Sequence, residues 1–111
     1  MRWYDRLRRP REIAYVRRRG RRFALTTIAA FAGEGAGRRS SVAISVSAAL
    51  GGAVVRNRIR RRIRGTLDLL APLEPPLRLL FVARQPAATE PYARLAADVR
   101  GAVESLSAQA R

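Results

Sequence analysis

Apolar side chains recur along this chain at two spacings, and the switches between them mark out its elements. Within residues 10 to 18, Ile13 and Val16 stand one helical turn apart among charged neighbours. Pro10 suits a first helical turn and Gly20 a stop, so a short helix is predicted there, docked through a narrow stripe. Residues 23–32, "FALTTIAAFA", alternate instead, with Phe23, Leu25, Thr27, Ala29 and Phe31 on one face as in a strand. The glycine-rich "GEGAGRR" makes a reversal, and "SVAISVS" sets Val42, Ile44 and Val46 on one face, which predicts that the two strands pair as a hairpin.

"LGGAVV" reads as a loop feeding a helix over 53–70, which "APLEPP" ends. On that helix Val55, Ile59, Ile63, Leu67 and Leu70 gather within a sector of roughly 120°, a stripe that faces a core. "LRLLFVA", residues 77–83, is an apolar run bounded by prolines, the pattern of a buried strand central in a sheet. Thr89 then suits a cap and Pro91 a first turn, while Tyr92, Leu95, Val99, Val103 and Leu106 repeat at helical intervals, predicting an amphipathic helix that closes one face of the sheet. The elements combine as α+β. At 111 residues the chain has the size of one domain, 1–111, with residues 1–8 as a basic N-terminal arm carrying Trp3 and Tyr4.

Charge adds a partner to this picture. All 23 basic residues are arginine, against eight acids, for a formal net charge of +15. An excess of that size repels itself in the compact state unless a polyanion neutralises it, so nucleic acid is the expected partner. The preference for arginine over lysine extends to dispersed positions such as Arg94 and Arg111 and fits the codon usage of a GC-rich genome. The lack of cysteine and histidine excludes thiolate and imidazole metal sites and Cys/His nucleophiles. No apolar run approaches the roughly 20 residues of a membrane span. "MRWYDRLRRPRE" has no apolar segment behind its basic start, so no secretory signal and a cytosolic chain are expected.

The densest charge lies on the predicted 53–70 helix, where "VVRNRIRRRIRG" holds six arginines between positions 56 and 64. Opposite the apolar stripe Arg61 points directly away, Asn57, Arg58 and Arg64 flank it, and Arg60 and Arg62 sit at the borders. A charged run on a helix is commonly no more than a solvated face. Here no Asp or Glu interleaves to relieve the repulsion, which weighs for polyanion binding. Arg56 projects closer to the apolar side, in a first turn where Gly51 and Gly52 permit close backbone approach, and helix start plus Arg56 would make a phosphate site.

Phe31, Phe81 and Tyr92 fit core or core-edge positions. Two readings stand for Tyr15, base stacking and a plain surface tyrosine, and two for Phe23, core and base stacking. The carboxylates form no close pair, "GEGAGR" lacks the continuation of a phosphate-cradling loop, and the serines have no histidine to activate them. No catalytic constellation borne by the protein is expected.

"SVAISVSAALGGAVVRNRIRRRIRG" resembles the signature of the bacterial ribonuclease P protein subunit: a strand ending in Ser-Val-Ser, a loop with glycine, then an Arg-Asn-Arg motif in a helix. "RLRRPREIAYVRRRGRRF" is similar to that family's opening and "LFVARQPA" to its late strand, in the family's order. The resemblance implies a two-layer α/β sandwich of order α-β-β-β-α-β-α with a left-handed βαβ crossover, the ribosomal protein S5 domain 2-like fold. It also implies a role: binding a large catalytic RNA and helping it remove the 5′ leader of precursor tRNA, the RNA with Mg2+ performing the hydrolysis. The implied partners are that RNA subunit and precursor tRNA; no protein partner is evident in the sequence, and no membrane is expected.

Carried over by resemblance, Arg56, Asn57, Arg58, Arg60 and Arg61, extended by Arg64, lie against the catalytic RNA. A cleft between the first helix and the sheet receives the leader, here Ile13, Val16, Arg17, Phe23 and the exposed face of residues 42–47 with Ser45 and Ser47. Where the family usually has phenylalanines the first helix has Ile13 and Arg17, and the basic pair after Ser-Val-Ser is Ala48-Ala49, with Arg38 and Arg39 as candidates to compensate. Two other classes compete. A ribosomal-type structured-RNA binder would have no role in cleavage, and a protein-only nuclease would need clustered carboxylates.

Overall fold

Residues 77–83 organise the molecule because they are apolar on both sides: Leu77, Leu79, Phe81 and Ala83 point into one layer and Leu80 into the other, all of them buried. The computed structural model describes residues 2–110. Its strands are β1 (Tyr4–Arg6), β2 (Arg21–Ala24), β3 (Ile28–Glu34), β4 (Ser40–Ser45) and β5 (Leu77–Ala83). Its helices are α1 (Pro10–Arg19), α2 (Ala53–Asp68) and α3 (Tyr92–Ala110). The strands form one sheet in the order β1-β4-β5-β3-β2, with β5 at its centre as its pattern predicts. From α1 onward the order is the expected α-β-β-β-α-β-α, and β4–α2–β5 is the crossover unit, since β4 and β5 run parallel.

The two faces are covered unequally. α2 and α3 pack over Ile28, Ala30, Val42, Leu79 and Phe81 through Ile59, Ile63, Leu67, Leu95, Val99 and Leu106. The other face has only α1, whose single fully buried side chain, Val16, joins Ala29, Phe31, Ala43 and Leu80. α1 ends pressed against β3: a Cβ on Gly20 would lie 2.8 Å from the Ala32 carbonyl oxygen, closer than packing permits.

The structure departs from the predicted pattern in five places. Residues 23–32 are not one strand, because the chain turns at Leu25–Thr27 and β2 pairs back on β3 with Phe23 opposite Ala30 and Arg22 opposite Phe31. The buried carboxylate of Asp98 on α3 holds this turn, accepting from the Thr27 amide at 3.0 Å and the Thr27 hydroxyl at 2.6 Å. β3 and β4 do not form a hairpin either. β5 lies between them, antiparallel to β3 and parallel to β4, because a strand apolar on both faces is stable only with a neighbour on each side.

The N-terminal segment is no loose arm. Residues 4–6 form β1, parallel to β4. Lastly, α2 stops at Asp68, short of Leu70, and Pro91 caps α3 through its carbonyl, which accepts from Arg94 at 3.0 Å, while Thr89 ends a short 3-10 turn.

Candidate nucleic-acid interface

α2 is anchored through Ile59, Ile63, Thr66 and Leu67, which are buried, and this fixes where its arginines point. Its start is set by Gly51, whose φ of 149° is open to glycine but strained for other residues, and whose position leaves 2.9 Å between a hypothetical Cβ and Val55. Asn57 and Arg61 are exposed, and Arg56, Arg58, Arg60, Arg62 and Arg64 are half-buried. The ridge therefore has two flanks. On one, Arg60 donates to the Asn57 side-chain oxygen at 3.2 Å, and Arg60, Arg64 and Asn57 face the β1–β4 edge. On the other, Arg62 lies 5.5 Å over the Tyr92 ring, whose hydroxyl is 3.4 Å from that of Thr66. Tyr92 is thus an exposed residue of the α2–α3 junction rather than core.

Arg56 and Arg58 each hold a buried Nε with no hydrogen-bond partner among the described residues.

A cavity of about 900 Å3 opens between the Asn57 flank of α2 and the start of the chain. Arg2, Arg6 and Arg8 stand on its far side, and Leu7, Ile13, Val42 and Ile44 contribute apolar surface. Tyr4 also borders it and is buried; burial first, and then the hydrogen bond it donates to Asp68 at 2.9 Å, push its phenol up to about 12.

The residues expected for the leader cleft separate. Ile13, half-buried, and Arg17, exposed, lie on α1 over the sheet face that it covers in part, and Ser45 is exposed at the end of β4. Val16 is fully buried and offers no contact surface. Phe23 faces the opposite side, packed with the α2 and α3 layer, because the turn at Leu25–Thr27 breaks the alternation that placed it beside Phe31. Ser47 caps the short turn before α2, its hydroxyl accepting from the Ala49 amide at 3.1 Å. Arg22, which sequence reasoning passed over, takes the cleft-side position, its guanidinium 5.9 Å over the Phe31 ring. The register Arg22 to Phe31 would have signalled it, had the turn been recognised.

Two other expected participants are used internally. Tyr15, about half exposed, carries Arg78 at 5.5 Å over its ring, and Arg78 also donates to the Glu34 carbonyl at 2.7 Å and pairs with Glu12 at 3.4 Å. Arg39 pairs with Asp5 at 3.2 Å and donates to the carbonyl oxygens of Arg2 and Tyr4, so it holds β1 in place. Arg38 remains exposed.

A family model described as Ribonuclease P matches residues 1–107. The chain is similar to the ribonuclease P protein component of Roseiflexus castenholzii, 43% identical over 86 residues that cover 77% of this chain and 70% of that one. It is similar to the component of Beutenbergia cavernae at 38% identity over 109 residues, 96% of this chain and 92% of the other. Among solved structures, the RNase P protein of Staphylococcus aureus matches with a TM-score of 0.75 at 20% identity, over 100% of this chain and 97% of that one. That of Thermotoga maritima matches with a TM-score of 0.71 at 16% identity, over 93% and 96%. At these identities the two structures speak for the fold.

Proposed function

The chain belongs to the ribonuclease P protein family, as a protein component with a role in tRNA processing, and from that premise we propose that it binds the catalytic RNA through α2 and the leader of precursor tRNA beside α1. The observation that carries the first contact is the arginine ridge itself. It has no acid between Arg56 and Arg64 to balance its six arginines. Phosphate oxygens supply the missing negative charge and accept from guanidinium groups that the ridge presents. Arg56, Asn57, Arg58, Arg60, Arg61 and Arg64 form this contact. Ile13, Arg17 and Ser45, with Arg22, line the side on which the leader lies.

In this reading the protein lowers the electrostatic cost of bringing a polyanionic leader against a polyanionic ribozyme, and so favours precursor over mature tRNA. Hydrolysis belongs to the RNA. In this reading magnesium acts with the RNA subunit, and among the described residues no three acidic side chains come together. Binding weakens steeply with salt, by a log–log slope of roughly 0.7 per neutralised phosphate on single strands.

The test is single-turnover cleavage of a precursor tRNA by the matching RNA subunit at low magnesium, with and without the protein, alongside Arg58→Ala/Arg61→Ala. The wild type should stimulate and the double variant should lose the stimulation. Absence of stimulation by the wild type, or cleavage by the isolated protein with magnesium and no RNA, would sink the reading.

A further inference from the structure

The ridge on α2 leaves part of the charge unexplained, because Arg2, Arg6 and Arg8 converge on the same cavity from the start of the chain. Segments near a terminus are commonly loose unless tied down. This one is tied at several points. β1 pairs with β4 up to Arg6 opposite Val42, and the Leu7 amide donates to the Val42 carbonyl at 2.8 Å. The Trp3 indole donates to the Leu67 carbonyl at 2.8 Å, a carbonyl at the end of α2 that also accepts from the Leu70 amide at 3.0 Å. Asp68, the only acid of α2, receives the Tyr4 hydroxyl at 2.9 Å and the Arg2 guanidinium at 3.0 and 3.3 Å.

The outcome is a strap bearing cations, fastened to the end of the helix whose own cations face it. The cavity between them is lined by five arginines, Arg2, Arg6, Arg8, Arg60 and Arg64, and by no carboxylate. Arg2 is paired with Asp68, and the other four, like charges brought together, raise the energy of the free protein and reward an anion that enters. At about 900 Å3 the cavity reaches the upper part of the range of about 300–1,000 Å3 that accommodates whole small molecules, so it has room for a length of phosphodiester rather than a lone ion. It is continuous with Asn57, Arg60 and Arg64 on α2 and shares only Ile13 with the side given to the leader, so the RNA subunit is the occupant argued for.

Resting on the functional reading above, we infer that residues 2–8 are the second wall of the RNA-subunit contact. A segment of that RNA's backbone lies between Arg6 and Arg8 on the strap and Asn57, Arg60 and Arg64 on α2. Asp68 is the positioning residue: it touches no RNA but holds the strap, through Tyr4 and Arg2, at the distance the backbone requires.

The experiment measures binding of the full chain to its RNA subunit across monovalent salt, for the wild type, Arg6→Ala/Arg8→Ala and Asp68→Asn, with thermal melts confirming that each is folded. Arg6→Ala/Arg8→Ala should lower the log–log salt slope by about 2, one for each lost phosphate contact. Asp68→Asn removes a negative charge, so charge alone predicts tighter binding, whereas a positioning role predicts binding several-fold weaker. An unchanged slope in the arginine variant overturns the wall, and equal or tighter binding by folded Asp68→Asn overturns the positioning role. A loss confined to leader-bearing precursor tRNA on the assembled holoenzyme overturns the assignment to the RNA subunit. Should the wild type show no preference for this RNA over an unrelated structured RNA, the functional reading falls instead. The same slopes on the unrelated RNA would still decide whether the strap is a wall.

Discussion

Replacing Asp98 by alanine strands two donors in the interior. Thr27 is fully buried, and both its amide and its hydroxyl donate to one Asp98 oxygen, at 3.0 and 2.6 Å. Leaving a buried donor unsatisfied costs about 1–3 kcal/mol, so the pair amounts to about 3 kcal/mol after some relaxation. Arg94, 3.6 Å from the other oxygen and half exposed, adds little. Domains of this size have a stability of about 5–15 kcal/mol, so the loss is large without abolishing folding. With a urea slope of about 1.5 kcal/mol/M, the midpoint should fall by about 2 M. The substitution also removes one acid from a chain of net charge +15, so the measurement belongs at about 0.5 M salt, where surface repulsion is screened. Asp98→Asn keeps an acceptor oxygen and should cost on the order of 1 kcal/mol. Asp98→Ala within about 0.5 kcal/mol of the wild type, or Asp98→Asn as damaging as the alanine, would refute the stranded-donor account.

Three further outcomes follow from single sites. Because the folded-state pKa of Tyr4 is raised from 10.0 to about 12, the stabilisation it brings is intact below pH 10 and fades as pH rises through about 12. Absorbance titration should show a late phase from Tyr4, absent in Tyr4→Phe and shifted down, yet still above the ordinary value, in Asp68→Asn, since burial is the larger cause. Gly20→Ala forces a Cβ against the Ala32 carbonyl and should destabilise by about 1–3 kcal/mol in chemical denaturation. Ile63→Ala opens a void under the arginine ridge, costing about 2–5 kcal/mol; a loss below about 1 kcal/mol would mean that α2 is not seated as described.

Residues 53–68 and 77–83 were the most legible parts of the chain, because their patterns repeat over enough positions to specify both element and face. The stripe of Ile59, Ile63 and Leu67 is enough by itself to place the arginines on the outside. Residues 23–32 misled for an equally physical reason: alternation continues numerically through Leu25–Thr27, and only Asp98, 71 residues further on, reveals that the chain turns there. Phe23 was assigned to the wrong face in consequence, and Arg22 was overlooked.

The sequence by itself determined the charge, the absence of thiol and imidazole chemistry, the secondary elements with strong periodicity, and the arginine face of α2, all of which depend on composition or on neighbours a few positions apart. Tertiary structure alone decided that β5 divides β3 from β4, that Trp3 and Tyr4 are fastened to the end of α2, and that Arg6 and Arg8 meet Arg60 and Arg64 across one cavity. These are pairings between residues some 30 to 65 positions apart, set by which sheet edge and helix end lie within reach once the core has closed, and local periodicity carries no trace of them.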